Sequence, residues 1–176
     1  AQYATQQGNS FLTDKTKDAI TFLKLITQKY DVATANPPYT DSADFGPELR
    51  KYIEVNYKKP FAFHTNLYAT FIKRCFELTN ENGKVAMIHP HTFMFIKTFE
   101  DVRKFMIEKS HIDVMVDFGL DRVNLFGPGI LLDATFYVLS KGNSGQNGLY
   151  FNLTNNLQEK AKKEKFFEAL SDHIDG

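Results

Sequence analysis

Tryptophan is absent from this chain of 176 residues, cysteine occurs once, and neither sign of charge prevails. The lone Cys75 excludes an internal disulfide and fits a reducing, cytoplasmic setting. Lysine and arginine total 21, aspartate and glutamate total 21, and the formal charge is zero. A free-standing nucleic-acid binder usually carries a basic excess, so most phosphate contacts of any such complex should come from elsewhere. No apolar run approaches the roughly 20 residues that a membrane-spanning helix needs. Residues 1–10 are polar and rich in glutamine, without the basic and then apolar regions of a signal peptide. The chain does not begin with methionine, which suits a start inside a longer protein or after a tag scar.

What is present suits one domain with a real core. Thr13-Asp14 can cap a helix over 13–29, with Ile20, Phe22, Leu23 and Ile26 on one side. Residues 31–35 read as a short strand. The segment 40–60 is a polar loop, long for a connection, with a short helix over 48–56. A helix over 66–79 carries Leu67, Phe71, Cys75 and Leu78 at helical spacing and closes at Asn82-Gly83. Residues 85–88 form a second buried strand ended by Pro90. Thr98 to Asp101 resembles a capping box that opens a helix to residue 109. Strands follow over 112–118 and 134–139, joined without a helix and therefore suited to antiparallel pairing. A short strand over 149–153 and a charged helix over 156–170 complete the chain. Alternating strands and helices imply parallel crossovers and an α/β sheet.

The most informative residues are Asn36-Pro37-Pro38-Tyr39, placed where the first strand meets its loop. Two prolines end the strand and stiffen the turn beyond it, because proline fixes φ and cannot donate to a sheet ladder. An amide and a flat ring are thereby held at a strand's carboxyl end, where open α/β sheets bind ligands. The amide oxygen accepts hydrogen bonds and the ring face stacks, which suits a planar amine. A match to this pattern arises by chance about once in a hundred chains of this size, and Asn-Pro also simply marks turns. Context decides between those readings.

With its lead-in strand, the tetrapeptide resembles the fourth motif of the adenine-specific (N6) DNA methyltransferases, above all the large restriction-modification and phage-defence (BREX, PglX-like) type. The resemblance runs from about residue 28 to 141. The stretch 66–72 resembles the family's fifth motif, with Asn66 where the family often has Asp. The stretch 83–90 resembles the sixth, 112–119 the seventh, and 124–139 the eighth, all in family order. The resemblance implies a partial Rossmann-like, S-adenosylmethionine-dependent methyltransferase fold, with parallel strands and an antiparallel strand near the end. It implies that Asn36 and Pro37 accept the two hydrogens of the target amine, with Pro38 shaping the turn. It also implies that Tyr39 and Phe126 stack on a flipped base, and that Leu67 and Phe71 border the cofactor's adenine. Leu67 and Phe71 could equally be core, and Asn66 a plain helix cap.

Nothing before Tyr30 resembles the family's Gly-rich first motif or its ribose-gripping acidic residue. The expectation is therefore the C-terminal half of a catalytic domain over 1–141, with a connector and helix over 142–176 leading to a further region. Such a piece should bind S-adenosylmethionine weakly by itself. It should reach double-stranded DNA through its parent enzyme, have no membrane role, and self-associate through an exposed sheet edge. His89 and His91 lack a neighbouring cluster of cysteines or carboxylates, so no metal site is expected. Lys58-Lys59 and the lysines of 160–165 read as solvated faces. Methylation of a protein glutamine or an RNA base, or a non-catalytic scaffold role, are the competing readings.

Overall fold

The computed structural model describes residues 2–120, 133–142, 147–155 and 159–175. In chain order the elements are α1 (Gln2–Thr27), β1 (Tyr30–Ala35), α2 (Pro47–Tyr57), α3 (Leu67–Leu78), β2 (Thr79–Pro90), α4 (Glu100–Lys109), β3 (Ser110–Leu120), β4 (Asp133–Lys141), β5 (Leu149–Asn152) and α5 (Glu159–Asp175). Among the described residues, five strands form one sheet in the order β1-β2-β4-β3-β5. β1 runs parallel to β2, and β5 parallel to β3; β4 lies antiparallel between β2 and β3. The expected antiparallel strand is thus inserted into the sheet rather than appended to it.

Side-chain parity sends the strands' residues to two cores. On one face, Val85, Met87, Tyr137 and Leu139 pack with α2, α3 and α4. α3 buries Tyr68, Ala69, Ile72, Cys75 and Phe76, a helical stripe facing the sheet. Edge-on contacts of the Phe105 ring with Phe76 of α3 and with Phe63 in the turn before it, both at 4.9 Å between centroids, hold α4 against this segment. On the other face, Val116, Phe118, Ala134 and Leu153 pack with Phe136, Phe151 and Phe166 of α5. An extra residue in β3 between Ile112 and Val114 switches the parity, so Ile112 faces the first core and Val114 the second.

Four local expectations are corrected. α1 begins at Gln2 rather than near Thr13, because glutamine and alanine extend a helix readily. The side that carries Ile20, Phe22, Leu23 and Ile26 is not buried, since all four are exposed. Asn82-Gly83 does not close α3. β2 starts directly at Thr79, and the pairing jumps from Tyr30–Thr79 to Val32–Lys84, so Asn82-Gly83 belongs to a bulge inside the strand. A Cβ on Gly83 would stand 2.7 Å from the Asp31 carbonyl oxygen, which explains the glycine. Thr98 does not cap α4, because it lies within a 3-10 turn, Lys97–Phe99, and Phe99 takes the cap position. Lys162 is not on a solvated face: it is buried, 4.2 Å above the Phe118 ring, and donates to the Phe118 carbonyl.

No described helix is long and apolar enough to cross a membrane.

Candidate active site

β1 leaves the sheet where Ala35 pairs with Met87, and Asn36 is the next residue. Asn36 and Pro38 are exposed, Pro37 is buried and Tyr39 is half-buried. The Tyr39 ring rests against the first core, and burial raises the pKa of its hydroxyl. That hydroxyl donates to Asn36 Oδ1 at 2.7 Å. One residue on, the Thr40 carbonyl accepts from the Leu67 N–H at 2.9 Å, and Asp41 and Asn66 form an isolated antiparallel bridge. The tetrapeptide is therefore held at both ends, by β1 before it and by the start of α3 after it.

Asn66 is extended, and its side-chain oxygen accepts from the Tyr68 N–H at 3.1 Å, so it caps α3. Leu67 is half-buried against the first core, whereas Phe71, one turn further, is 36% exposed. Leu67 is tied to the chain just beyond the tetrapeptide through its N–H to the Thr40 carbonyl, and Phe71 lies one turn further along α3. Phe126 lies outside the described residues.

Beneath this end sits a polar group that sequence reasoning treated only as a weak metal candidate. His89 is fully buried and stacks on Tyr68, with centroids 4.5 Å apart and rings 10° from parallel. Its Nε2 lies 2.9 Å from the Tyr137 hydroxyl and its Nδ1 3.0 Å from the Pro90 carbonyl oxygen. A carbonyl only accepts, so Nδ1 carries the hydrogen and Nε2 accepts from Tyr137. Burial lowers the His89 pKa to about 4 and keeps the ring neutral. His91 lies in the turn beyond β2 and faces elsewhere. Its Nδ1 is 2.9 Å from Asp117 Oδ1 and its Nε2 3.8 Å from Asp133 Oδ2. The two histidines therefore serve different partners. The His91–Asp117 pair was missed from sequence, since the residues lie in different elements with nothing local to join them.

Gly119 ends this rim with φ +68°, and its N–H donates to Asp117 Oδ1 at 3.1 Å. A Cβ there would stand 2.9 Å from Thr154 Cα, so both dihedral and space require glycine.

A sheet with one reversed strand between two parallel pairs, and a rigid amide-bearing turn at a carboxyl end, defines the class: this is the fold of the class I S-adenosylmethionine-dependent methyltransferases. A Listeria monocytogenes protein assigned to that class superposes with a TM-score of 0.55 at 18% identity, covering 80% of this chain and 42% of its own. The type ISP restriction-modification enzyme LlaGI, as a nuclease-deletion mutant in complex with a DNA substrate mimic, superposes with a TM-score of 0.61 at 16% identity, over 88% of this chain and 17% of the enzyme. These likenesses establish the fold.

The chain belongs to the Eco57I restriction-modification methylase family, whose model matches residues 3–126. It is 29% identical over 147 residues to the adenine-specific methyltransferase PglX of Lacticaseibacillus casei (strain Zhang), an alignment covering 84% of this chain and 12% of that relative.

Proposed function

We propose that this chain forms part of the catalytic domain of a cytoplasmic DNA adenine N6-methyltransferase that serves restriction-modification or phage defence. The observation that carries this reading is the exposed Asn36 amide, rigidly mounted at the carboxyl end of β1 with its oxygen fixed by Tyr39. Adenine's exocyclic amine is a poor nucleophile, because its lone pair is delocalised into the ring. No strong base is needed, since the nitrogen can lose its proton after attack. The site must instead favour a pyramidal nitrogen. Asn36 Oδ1 and the Pro37 carbonyl oxygen accept the two amine hydrogens and orient the lone pair, which is positioning and electrostatic catalysis. The target base must leave the duplex to reach them. Tyr39, with Phe126, then stacks on it.

S-adenosylmethionine supplies an electrophilic methyl group on a sulfonium. The residues present fit one end of it: Phe71 offers a partly exposed ring beside Leu67, an apolar wall for a planar purine. We read 1–141 as the carboxyl half of the domain, and the methionine end is held outside this chain. Phe71→Ala is expected to raise the KM for S-adenosylmethionine roughly five- to tenfold in the complete polypeptide, with little change in melting temperature. Ile72→Ala, at a fully buried position beside it, is expected to cost about 2–5 kcal/mol of stability without that selective effect. Steady-state kinetics and thermal melts on both variants check this contrast.

Double-stranded DNA is the partner in this reading. Methyl transfer to DNA, RNA and protein by the complete polypeptide, with the products identified, separates adenine in DNA from an RNA base or a glutamine side chain. The chain by itself is expected to self-associate. Val32 on the β1 edge is 58% exposed, and the α1 side chains Phe22 and Leu23 are 61% and 56% exposed nearby in the chain. Light scattering should show a mass that rises with concentration; a constant monomer mass overturns this expectation.

A further inference from the structure

The Asn36 amide can catalyse only if its oxygen, and not its nitrogen, faces the incoming amine. An asparagine amide carries an acceptor at one end and two donors at the other. Its last torsion is broad and roughly two-fold, so an exposed asparagine samples both orientations. Asn36 is exposed, and its backbone is stiff because Pro37 and Pro38 follow. Backbone stiffness does nothing for that side-chain torsion.

The Tyr39 hydroxyl supplies the missing restraint. It lies 2.7 Å from Asn36 Oδ1, the usual length of an O–H···O bond and shorter than the usual N–H···O bond. A phenol hydroxyl can accept as well as donate but donates more readily, so the contact favours the orientation in which the asparagine oxygen faces the tyrosine. A carbonyl oxygen has two lone pairs, so one receives the hydroxyl and the other remains for the amine hydrogen. The hydroxyl is itself a fixed point. The Tyr39 ring rests on the first core, and the next residue is pinned through the bond from Leu67 N–H to the Thr40 carbonyl. Burial also keeps the hydroxyl protonated to higher pH than in free tyrosine, so it remains a donor.

We propose that the Tyr39 hydroxyl is a positioning group for methyl transfer, which locks the Asn36 amide with its oxygen toward the target amine, separately from stacking by the Tyr39 ring. This rests on the proposed adenine-methylating function and deepens it. Ring and hydroxyl then have separable effects. Stacking acts on capture of the base and survives replacement by phenylalanine. The lock acts on the fraction of bound complexes poised to react and is lost with the hydroxyl.

The test uses Tyr39→Phe and Tyr39→Ala in the complete polypeptide, with rates of adenine methylation on duplex DNA. Tyr39→Phe is expected to lower kcat roughly tenfold, the order expected for one hydrogen bond, and to leave the KM for DNA within about twofold. Tyr39→Ala is expected to lower kcat and raise the KM for DNA together. Placing 4-aminophenylalanine at position 39 returns an N–H donor on an intact ring and should restore most of the kcat. An unchanged kcat in Tyr39→Phe overturns the proposal. So does a kcat loss that the aminophenylalanine fails to reverse while the protein melts as wild type does.

A second measurement needs no catalysis. In this 176-residue chain, the side-chain amide resonances of Asn36 should shift and broaden in Tyr39→Phe as the torsion is freed. Unchanged resonances overturn the lock even if the parent methylates adenine. Resonances that shift, in a protein that methylates no nucleic acid, uphold the lock and overturn the functional reading instead.

Discussion

Replacing Asn36 by alanine is expected to abolish adenine methylation by the complete polypeptide while leaving the fold intact. Removal of one preorganised group facing a reacting centre typically costs about 100- to 1000-fold in rate. Under the proposed function a loss at the upper end is expected, because the Asn36 oxygen would be one of the two acceptors for the amine and sits in a turn stiffened by Pro37 and Pro38. The structural cost should be small. The side chain is exposed and its bond is to the Tyr39 hydroxyl, which is only half-buried and can turn to water. A change of about 1 kcal/mol or less is the expectation. Single-turnover transfer of labelled methyl to duplex DNA, beside a thermal melt, measures both quantities. Methylation retained within a few-fold of wild type removes Asn36 from the mechanism. A collapse of the melt would make the residue structural, against its exposure. Asn36→Asp should lie between these extremes, since it keeps an acceptor but adds a charge beside the electrophile.

The position of that asparagine was legible from sequence because the signal is local. A short apolar run, two prolines and an aromatic ring specify a strand end with no tertiary information, and β1 ends at Ala35 as the run does. α2 and α3 were legible for a similar reason. Pro47 opens one helix and Asn66 caps the other; in α3, however, the buried stripe is Tyr68, Ala69, Ile72, Cys75 and Phe76, and of the expected row Leu67, Phe71, Cys75 and Leu78 only Cys75 is buried. What failed was local chemistry overruled by pairing. Asn-Gly is a good helix terminator, yet Thr79 already pairs with Tyr30, so residues 79–83 are drawn into β2 and the glycine is used for a bulge. Thr98 and Asp101 have the spacing of a capping box, but Asp101 faces Lys104 at 3.4 Å instead of reaching back. Lys162 looked like one of several solvated lysines. Its burial comes from Phe166, one turn away, which docks on Phe136 and Phe151 and brings that side of α5 onto the second core.

The chemistry around the site was legible in kind but not in arrangement. Sequence separates Asn36 from Tyr39 by three positions, and only the turn brings their polar atoms to 2.7 Å. His89 and His91 are two apart, a spacing that would put both on one side of a strand. The strand ends at Pro90, so His91 turns to Asp117 while His89 stays beneath α3. The proline marks the end of the strand, but nothing local in the sequence says that His91 turns toward Asp117.

His89 gives the second large expected effect, a loss of stability in acid. In the folded protein its pKa is lowered to about 4 from an ordinary 6.5, with burial the leading cause. Between those values the unfolded chain takes up a proton that the folded chain refuses. Stability therefore falls as pH falls from about 6.5 to about 4, is fully present above that window, and loses nothing further from this group below it. The total is about 3 kcal/mol from the size of the shift. His89→Phe keeps an aromatic ring under Tyr68 but cannot titrate. It also leaves the Tyr137 hydroxyl and the Pro90 carbonyl without their partner, so it should be less stable than wild type at pH 7 by about 1–3 kcal/mol. Urea unfolding at pH 7, 5.5 and 4 should show the wild-type and variant stabilities converging as the pH drops. Carboxylates elsewhere act on both proteins alike, so the difference isolates His89. A variant curve parallel to wild type throughout would remove His89 as the origin of the acid sensitivity. The consequence reaches the site, because Tyr68 stacks on His89 and belongs to α3, whose first N–H holds the Thr40 carbonyl just beyond Tyr39. The folded chain keeps this ring neutral down to about pH 4, so any acid loss of methyl transfer through His89 should track the loss of stability of the fold that anchors the tetrapeptide.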